Sequence, residues 1–571
     1  MSLFVADQGG KSMRRVNRGV FISVLGVALT IAAPTFATDA IPPAINGWEV
    51  VVNNGYDMPT NSCNPAEPTS LCRKFNSYNQ PSVNVRGLVV IRARSRGGEV
   101  TGQQPVHGVY TRDMATPGSS IVKILDRSTP VPQPNNLDTL FTEPPSFPRI
   151  DMNSNTIATR GNHQPTWVDE NGDRFGTTGI YANPFGQLIT AASKLGIVPY
   201  FSFFEVPGAS PGTPFDVFPG SPSITDKTTI VFKGNYTEEG SGKTGVYYRI
   251  LTDAPIPVPT RSLEPAGGTN PVVLIANTDT LIPGTTQVFG SLAPPSAADG
   301  KAVFVGLDNE ESPTVGGIYL VKLSDQKLKL KNVVKLGSSV PGEKSGAVFN
   351  KIGEGLSFDG RFVAFWGAWG AETKTLQLQC PTTGNKDRVA YCNEICAEGC
   401  TETVPVHQGI FVHDLDKDKT YAVAKTGDDF SDFLYWNFSG HVPGSAGEDD
   451  GEPARWRSSA FVAVSGLVDG SLTDAHFHVA FKARKGEAVE GVYKDPVDGI
   501  YLSEGPGNSP LLTLVETGMD GSVLDPTAKG LPATEVGIER DGFRGNSLVI
   551  NAVMGSEETG WGGVYMTKVL E

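Results

Sequence analysis

The triplet Gly108-Val109-Tyr110, "GVY", recurs along the chain and decides the fold. It returns as "GIY" at Gly179–Tyr181, "GVY" at Gly245–Tyr247 and "GIY" at Gly317–Tyr319. It continues as "GIF" at Gly409–Phe411, "GIY" at Gly499–Tyr501 and "GVY" at Gly563–Tyr565. Successive aromatic positions lie 71, 66, 72, 92, 90 and 64 residues apart. A period of this size is the mark of a repeat architecture.

Working outward, each triplet sits in a longer unit. An apolar strand and a turn rich in Gly and Pro follow it, as in "VVKLGSSVPG" from Val333. Then come a Phe, a Pro-containing loop and a further strand, such as "GLVVIRA" from Gly87, "RFVAFWG" from Arg361 or "HVAFKA" from His478. Short β-branched and aromatic runs between Gly, Pro, Asn and Asp read as strands, and no long stretch carries a helical period. Seven units of short antiparallel strands predict an all-β, seven-bladed β-propeller. The "GVYMTKVLE" end lacks the second half of its unit, and "GWEVVVNNGYDMP" from Gly47 supplies it. Pairing of the N- and C-terminal strands would therefore close the ring. An open β-solenoid or two β-sandwiches leave that unit incomplete.

The chain has 571 residues, 66 Gly, 42 Pro and a formal charge of −14, with 39% of residues hydrophobic. Arg14, Arg15 and Arg18 precede the apolar run Gly19 to Pro34, and Thr35-Phe36-Ala37 offers small residues for cleavage. Residues 1–37 thus read as a signal peptide and 48–571 as one propeller domain, with insertions near 371–406 and 441–458. The expected location is secreted or periplasmic, with no membrane span after cleavage and a monomeric chain. Six cysteines fit disulfides in an oxidising compartment: Cys63 and Cys72 flank one loop, and Cys380, Cys392, Cys396 and Cys400 share another. Four cysteines allow three pairings, and spacing does not choose among them.

Residues that break the repeat are better site candidates than those that build it. One position near the end of the repeated strand holds Arg92, Arg160, Lys233, Val305, Trp366, Lys482 and Val553 in turn. Four of these seven are basic in an acidic protein, and Arg94, Asn162, Asn235 and Arg484 lie two residues on. A basic belt beside Trp366 and Trp369 suits an anionic polysaccharide, whereas nucleic acid is disfavoured by the net charge. Strand ends are also commonly polar without a ligand.

The stretches "IATRGNH" from Ile157 and "IVFKGNY" from Ile230 align position by position. They predict a shared cleft with Arg160 or Lys233 neutralising a uronate carboxylate. His163 and Tyr236 would then be base and acid in a β-elimination. Arg92, Asn162, Asn235, Tyr248, Arg249, Trp366 and Lys482 would bind substrate. Acidic loops at Asp169–Asp173 and Asp414–Asp418 leave room for a structural Ca²⁺, and no cofactor is required.

The "AF…GIY" unit resembles that of secreted bacterial tandem-repeat proteins. The residue types also look like those of propeller-type polysaccharide lyases of the ulvan lyase kind. That resemblance implies a seven-bladed scaffold with His, Tyr and Arg at the site. A non-catalytic propeller that binds glycans or proteins is the alternative.

Overall fold

A computed structural model describes residues 44–570, except 60–72, 96–104, 196–203, 254–270, 345, 383–384, 441, 444–452, 467–475, 508 and 557–559. The signal-peptide segment, Cys63 and Cys72 lie outside the described residues, as does part of the 441–458 insertion. Seven antiparallel sheets form the seven blades. Blade one is representative: Phe75–Tyr78 and Ser82–Val83 pair with Leu88–Ser95, which pairs with His107–Asp113, which pairs with Val122–Asp126. In blade seven the outer strand is N-terminal, as expected. Glu49–Asn53 and Ala44–Ile45 both pair with Trp561–Leu570.

The triplet is explained by one repeated contact. Its aromatic ring meets a Phe from the loop entering the same blade, edge to face. Phe75–Tyr110, Phe141–Tyr181, Phe215–Tyr247, Phe289–Tyr319 and Phe349–Phe411 lie at 4.8–5.2 Å with interplanar angles of 85–88°. Phe430–Tyr501 repeats it at 4.8 Å. Such pairs add about 0.5–1.5 kcal/mol each beyond the area they bury. Both glycines of the motif make room for these rings. A Cβ at Gly161 would lie 2.5 Å from Phe141, and one at Gly179 would lie 2.7 Å from the Tyr181 hydroxyl. Blade seven departs from the motif, with Ala533 where the Phe stands elsewhere.

The inner strands Ser82–Val83, Arg149–Ile150, Ser223–Thr225, Ser296–Ala298, Ser357–Phe358, Val462–Gly466 and Phe543–Arg544 touch in turn around the axis. Register places Ser82, Arg149, Ser223, Ser296 and Ser357 at one level. The arginine that replaces serine in blade two crosses to blade seven. It is fully buried, pairs with Glu539 at 2.7 Å and with Asp541, and lies 3.4 Å from the hydroxyls of Ser223 and Ser296. Arg544 extends the cluster, bonding Asp541 and the carbonyls of Phe358 and Val464. Charges of this kind are tolerated in an interior only when paired. Here they pin blades two and seven, on either side of blade one, across the axis.

The 371–406 insertion extends the central hairpin of blade five, Phe362–Leu378 with Cys400–Asp414, around the helix Lys386–Ile395. Asn385 caps that helix by accepting from Arg388 N. The structure selects one of the three pairings: Cys380–Cys392 and Cys396–Cys400. Among the described residues, no helix is long and apolar enough to cross a membrane.

Candidate functional site

Register makes the strand-end position comparable between blades. The residue opposite the middle of the triplet is Arg92, Arg160, Lys233, Val305, Trp366, Lys482 and, in blade seven, Asn551. Val553 was expected there. The glycine that marks the position in four other blades is Ala552 in blade seven, so the motif misleads by two residues. Beside this residue, the residue two along the same strand, its cross-strand partner and the residue just after the outer strand complete a row on one face of the sheet.

In blade one the row is Arg92, Arg94, His107 and Arg127. Arg94 is directly opposite His107, and Arg92 is opposite Val109. Arg92 is half-buried. It donates to Glu143 Oε1 at 2.7 Å, to the Pro144 carbonyl and to Asn79 Oδ1, which fixes its guanidinium at the junction with blade two. Arg94 and Arg127 are exposed. Arg127 holds the Pro105 carbonyl at 3.2 Å, and Arg94 makes no hydrogen bond or ion pair among the described residues. His107 Nδ1 lies 3.9 Å from Glu143 Oε1. Burial pushes the His107 pKa below 6.5; Glu143 opposes this, while Arg92, Arg94 and Arg127 add to it. The imidazole is thus neutral at pH 7, beside three guanidiniums and the Glu143 carboxylate. Guanidiniums in this setting take carboxylates and sulfates by paired hydrogen bonds. A neutral imidazole accepts a proton.

The basic rows of blades six and two are closed from within. In blade six Arg484 forms a two-point pair with Asp498 at 2.7 and 3.0 Å. Its guanidinium lies over Tyr435 and Tyr493, and Lys482 Nζ sits 3.9 Å from the centre of the Tyr435 ring. Burial lowers the Lys482 pKa, and Asp498 and Glu535 partly restore it. In blade two Arg160 and Asn162 are buried, with Arg160 Nε 3.5 Å from Thr178 Oγ1 and Thr178 Oγ1 donating to Asn162 Oδ1 at 3.1 Å.

The structure does not bring His163 and Tyr236 into one cleft. His163 is 2% exposed. Its Nδ1 is 2.7 Å from the Gln164 carbonyl and must donate, so Nε2 accepts from the Tyr181 hydroxyl at 2.7 Å. The lone pair that a base would use is already engaged. Burial carries its pKa down to about 4. Tyr236 is 1% exposed, packs with Phe204, Phe215 and Tyr247, and accepts from Asn277 Nδ2 at 3.2 Å. Parity separates them from the cations: Arg160 and His163 are three residues apart on a strand, as are Lys233 and Tyr236, so each pair points to opposite faces.

Other expected ligand contacts are also inside the scaffold. Arg249 is buried, donates to the Thr190 and Ala191 carbonyls, and lies over Phe204, with burial lowering its pKa to about 10. Tyr248 packs between blades three and four. Trp366 and Trp369 are each 5% exposed and offer no aromatic surface; Trp366 Nε1 donates to Gln408 Oε1. Lys233 and Asn235 are half-buried at the junction with blade four. His107 and Arg127 went unnoticed in the sequence, although His107 immediately precedes the first triplet.

The sulfurs of Cys380, Cys392 and Cys396 lie within 4.8 Å of one another, but the two disulfides leave no thiolate to bind a metal. Asp169 accepts from the backbone N–H of Asn171 and Asp173 within its own turn. Asp414 and Asp416 are met by Arg361.

No protein-family model matches the chain, and no curated protein matches it by sequence. Several solved structures are similar in shape. The polysaccharide lyase Uly1 is 8% identical, with a TM-score of 0.38, over 93% of this chain and 99% of that one. The subtype N11 neuraminidase-like protein of A/flat-faced bat/Peru/033/2010 is 12% identical, with a TM-score of 0.31, over 83% and 98%. Zg3597, a family 117 glycoside hydrolase produced by the marine bacterium Zobellia galactanivorans, is 10% identical, with a TM-score of 0.24, over 62% and 88%. Likeness at this level says nothing of activity.

Proposed function

We propose that this is a secreted propeller that binds an anionic polysaccharide at the junction of blades one and two. One observation carries the reading. Arg92, Arg94, His107 and Arg127 converge on one row that, among the described residues, faces one acid, Glu143, in a chain of net charge −14. Unneutralised guanidiniums at a protein surface favour acidic groups spaced along a polymer. The test is binding of the purified chain to polygalacturonate, alginate, ulvan and a glycosaminoglycan, against neutral glucan. Arg94→Ala/Arg127→Ala should weaken binding of the acidic polymers about tenfold with an unchanged melting temperature. Equal binding of neutral glucan, or full binding by the double variant, would sink the proposal. Affinity should also rise as pH falls below 6.5, because protonated His107 adds a fourth positive charge.

The half-exposed, neutral His107 favours one further reading, cleavage by β-elimination. The imidazole would take the proton next to a uronate carboxylate while the arginines hold the developing enolate. The bond from the β-carbon to the glycosidic oxygen breaks, and that oxygen leaves with a proton. The product carries an unsaturated uronic end, which absorbs in the ultraviolet. A rise in absorbance that His107→Ala abolishes and His163→Ala leaves intact is the expected result. No rise on any acidic polymer leaves the binding function alone.

A further inference from the structure

In blade three the row is Lys233, Asn235, Thr244 and Thr278, and it faces blade four. Lys233 is opposite Val246, which is opposite Ala276; Val246 and Ala276 pack with Phe289, Leu292 and Phe304. Asn235 is opposite Thr244, and Thr278 N donates to the Thr244 carbonyl at 3.0 Å. Three oxygens therefore share this face: Asn235 Oδ1, Thr244 Oγ1 and Thr278 Oγ1. All three are buried, and none has a hydrogen-bond partner among the described residues. Such atoms are rare in folded proteins because leaving them unmet is costly. Lys233 beside them is half-buried and forms no ion pair or hydrogen bond among the described residues.

The repeat shows how unusual this is. Two residues after the entering Phe, the next blade presents Glu143 to Arg92 and Glu535 to Lys482. The same position facing Lys233 is the buried Ser291. The corresponding polar atoms of blade two satisfy one another through Thr178. Among the described residues, blade three alone joins a cation that lacks a counterion to a row of unmet polar oxygens.

We propose that the junction of blades three and four is a second site, taking one oxyanion, a carboxylate or a sulfate. Lys233 supplies the charge, and the hydroxyls of Thr244 and Thr278 donate to the anion. The Asn235 amide, turned by half a rotation, presents Nδ2 in place of Oδ1. A metal ion is excluded as ligand by the ammonium group, which repels it. The site stands independently of the blade-one cluster, and its test is arranged accordingly.

The experiment is calorimetric titration of the full chain carrying Arg94→Ala/Arg127→Ala with sodium sulfate and with sodium galacturonate. Saturable one-to-one binding of either anion is expected, and the preferred one names the source. Lys233→Met should weaken it at least tenfold, and exposed Lys322→Met should not. Should Lys233→Met fail to fold, the isosteric Thr244→Val should still weaken binding several-fold. Saturation by neither anion, or unchanged affinity in Lys233→Met or Thr244→Val, overturns the site.

Discussion

Blades one and six place polar residues at the same four row positions. In blade six they are Lys482, Arg484, Asp498 and Thr517, and in blade one Arg92, Arg94, His107 and Arg127. Blade six supplies its own acid within the row, and two tyrosine faces cover both cations. Blade one has His107 where blade six has Asp498, and the acid that meets its row among the described residues, Glu143, comes from the neighbouring blade. Two exchanges of residue type, His107 for Asp498 and Arg127 for Thr517, turn an internally paired seam into a cationic surface. Basic residues at a strand end therefore say little about ligands until their counterions are known.

Four experiments break or sharpen this contrast, in falling order of effect. The largest concerns imidazoles. His163 is sealed, with its pKa carried from 6.5 to about 4, whereas His107 is half-exposed. Below pH 6.5 the unfolded chain takes up a proton that buried His163 refuses. Stability is thus full above pH 6.5 and falls toward pH 4, by on the order of 3 kcal/mol for this residue. Urea unfolding at several pH values should show this slope, flattened strongly in His163→Phe and only slightly in His107→Ala. Next, Asp498→Asn leaves Arg484 without its partner in a seam that is about one-fifth exposed. A loss of about 2 kcal/mol by urea unfolding is expected; no loss would mean that blade six does not depend on its internal pair. Third, Arg94→Ala/Arg127→Ala should reduce acidic-polymer affinity about tenfold, near 1.4 kcal/mol, with stability held within about 0.5 kcal/mol. Finally, Glu143→Gln removes the acid that pairs with Arg92 and faces His107 and should tighten the same polymer a few-fold, read in the same titration.

The fold was legible because its motif has a steric cause. Gly179 must clear the Tyr181 hydroxyl and Gly161 the Phe141 ring, so the residues cannot drift without losing the contact. Legibility failed in blade seven, where Ala533 and Ala552 replace the anchoring Phe and Gly. The site was read less well. That blade one was basic could be seen, but the neutralising acids lie far along the chain. Glu143 is 51 residues from Arg92, and Asp498 is 14 from Arg484. The pairing of His163 with Arg160 failed on strand parity, which the sequence itself contained. Arg149 gave a local signal, an arginine where other units have serine, but its partners in blade seven are 390 residues away.

The closing strand also acts as a clock. Thr567 donates to the Asn46 carbonyl across 521 residues of sequence. At about 5–20 residues per second, the N-terminal strand waits roughly 25–100 s for its partner to be made. During that interval blades one to six form an arc with an unpaired edge, and the axial arginine of blade two has no acids to meet. An edge of this kind invites pairing with other chains. Completion of the ring is thus a late, all-at-once event, and a nascent chain stalled before Trp561 would carry its vulnerability in plain view of whatever guards unfinished proteins.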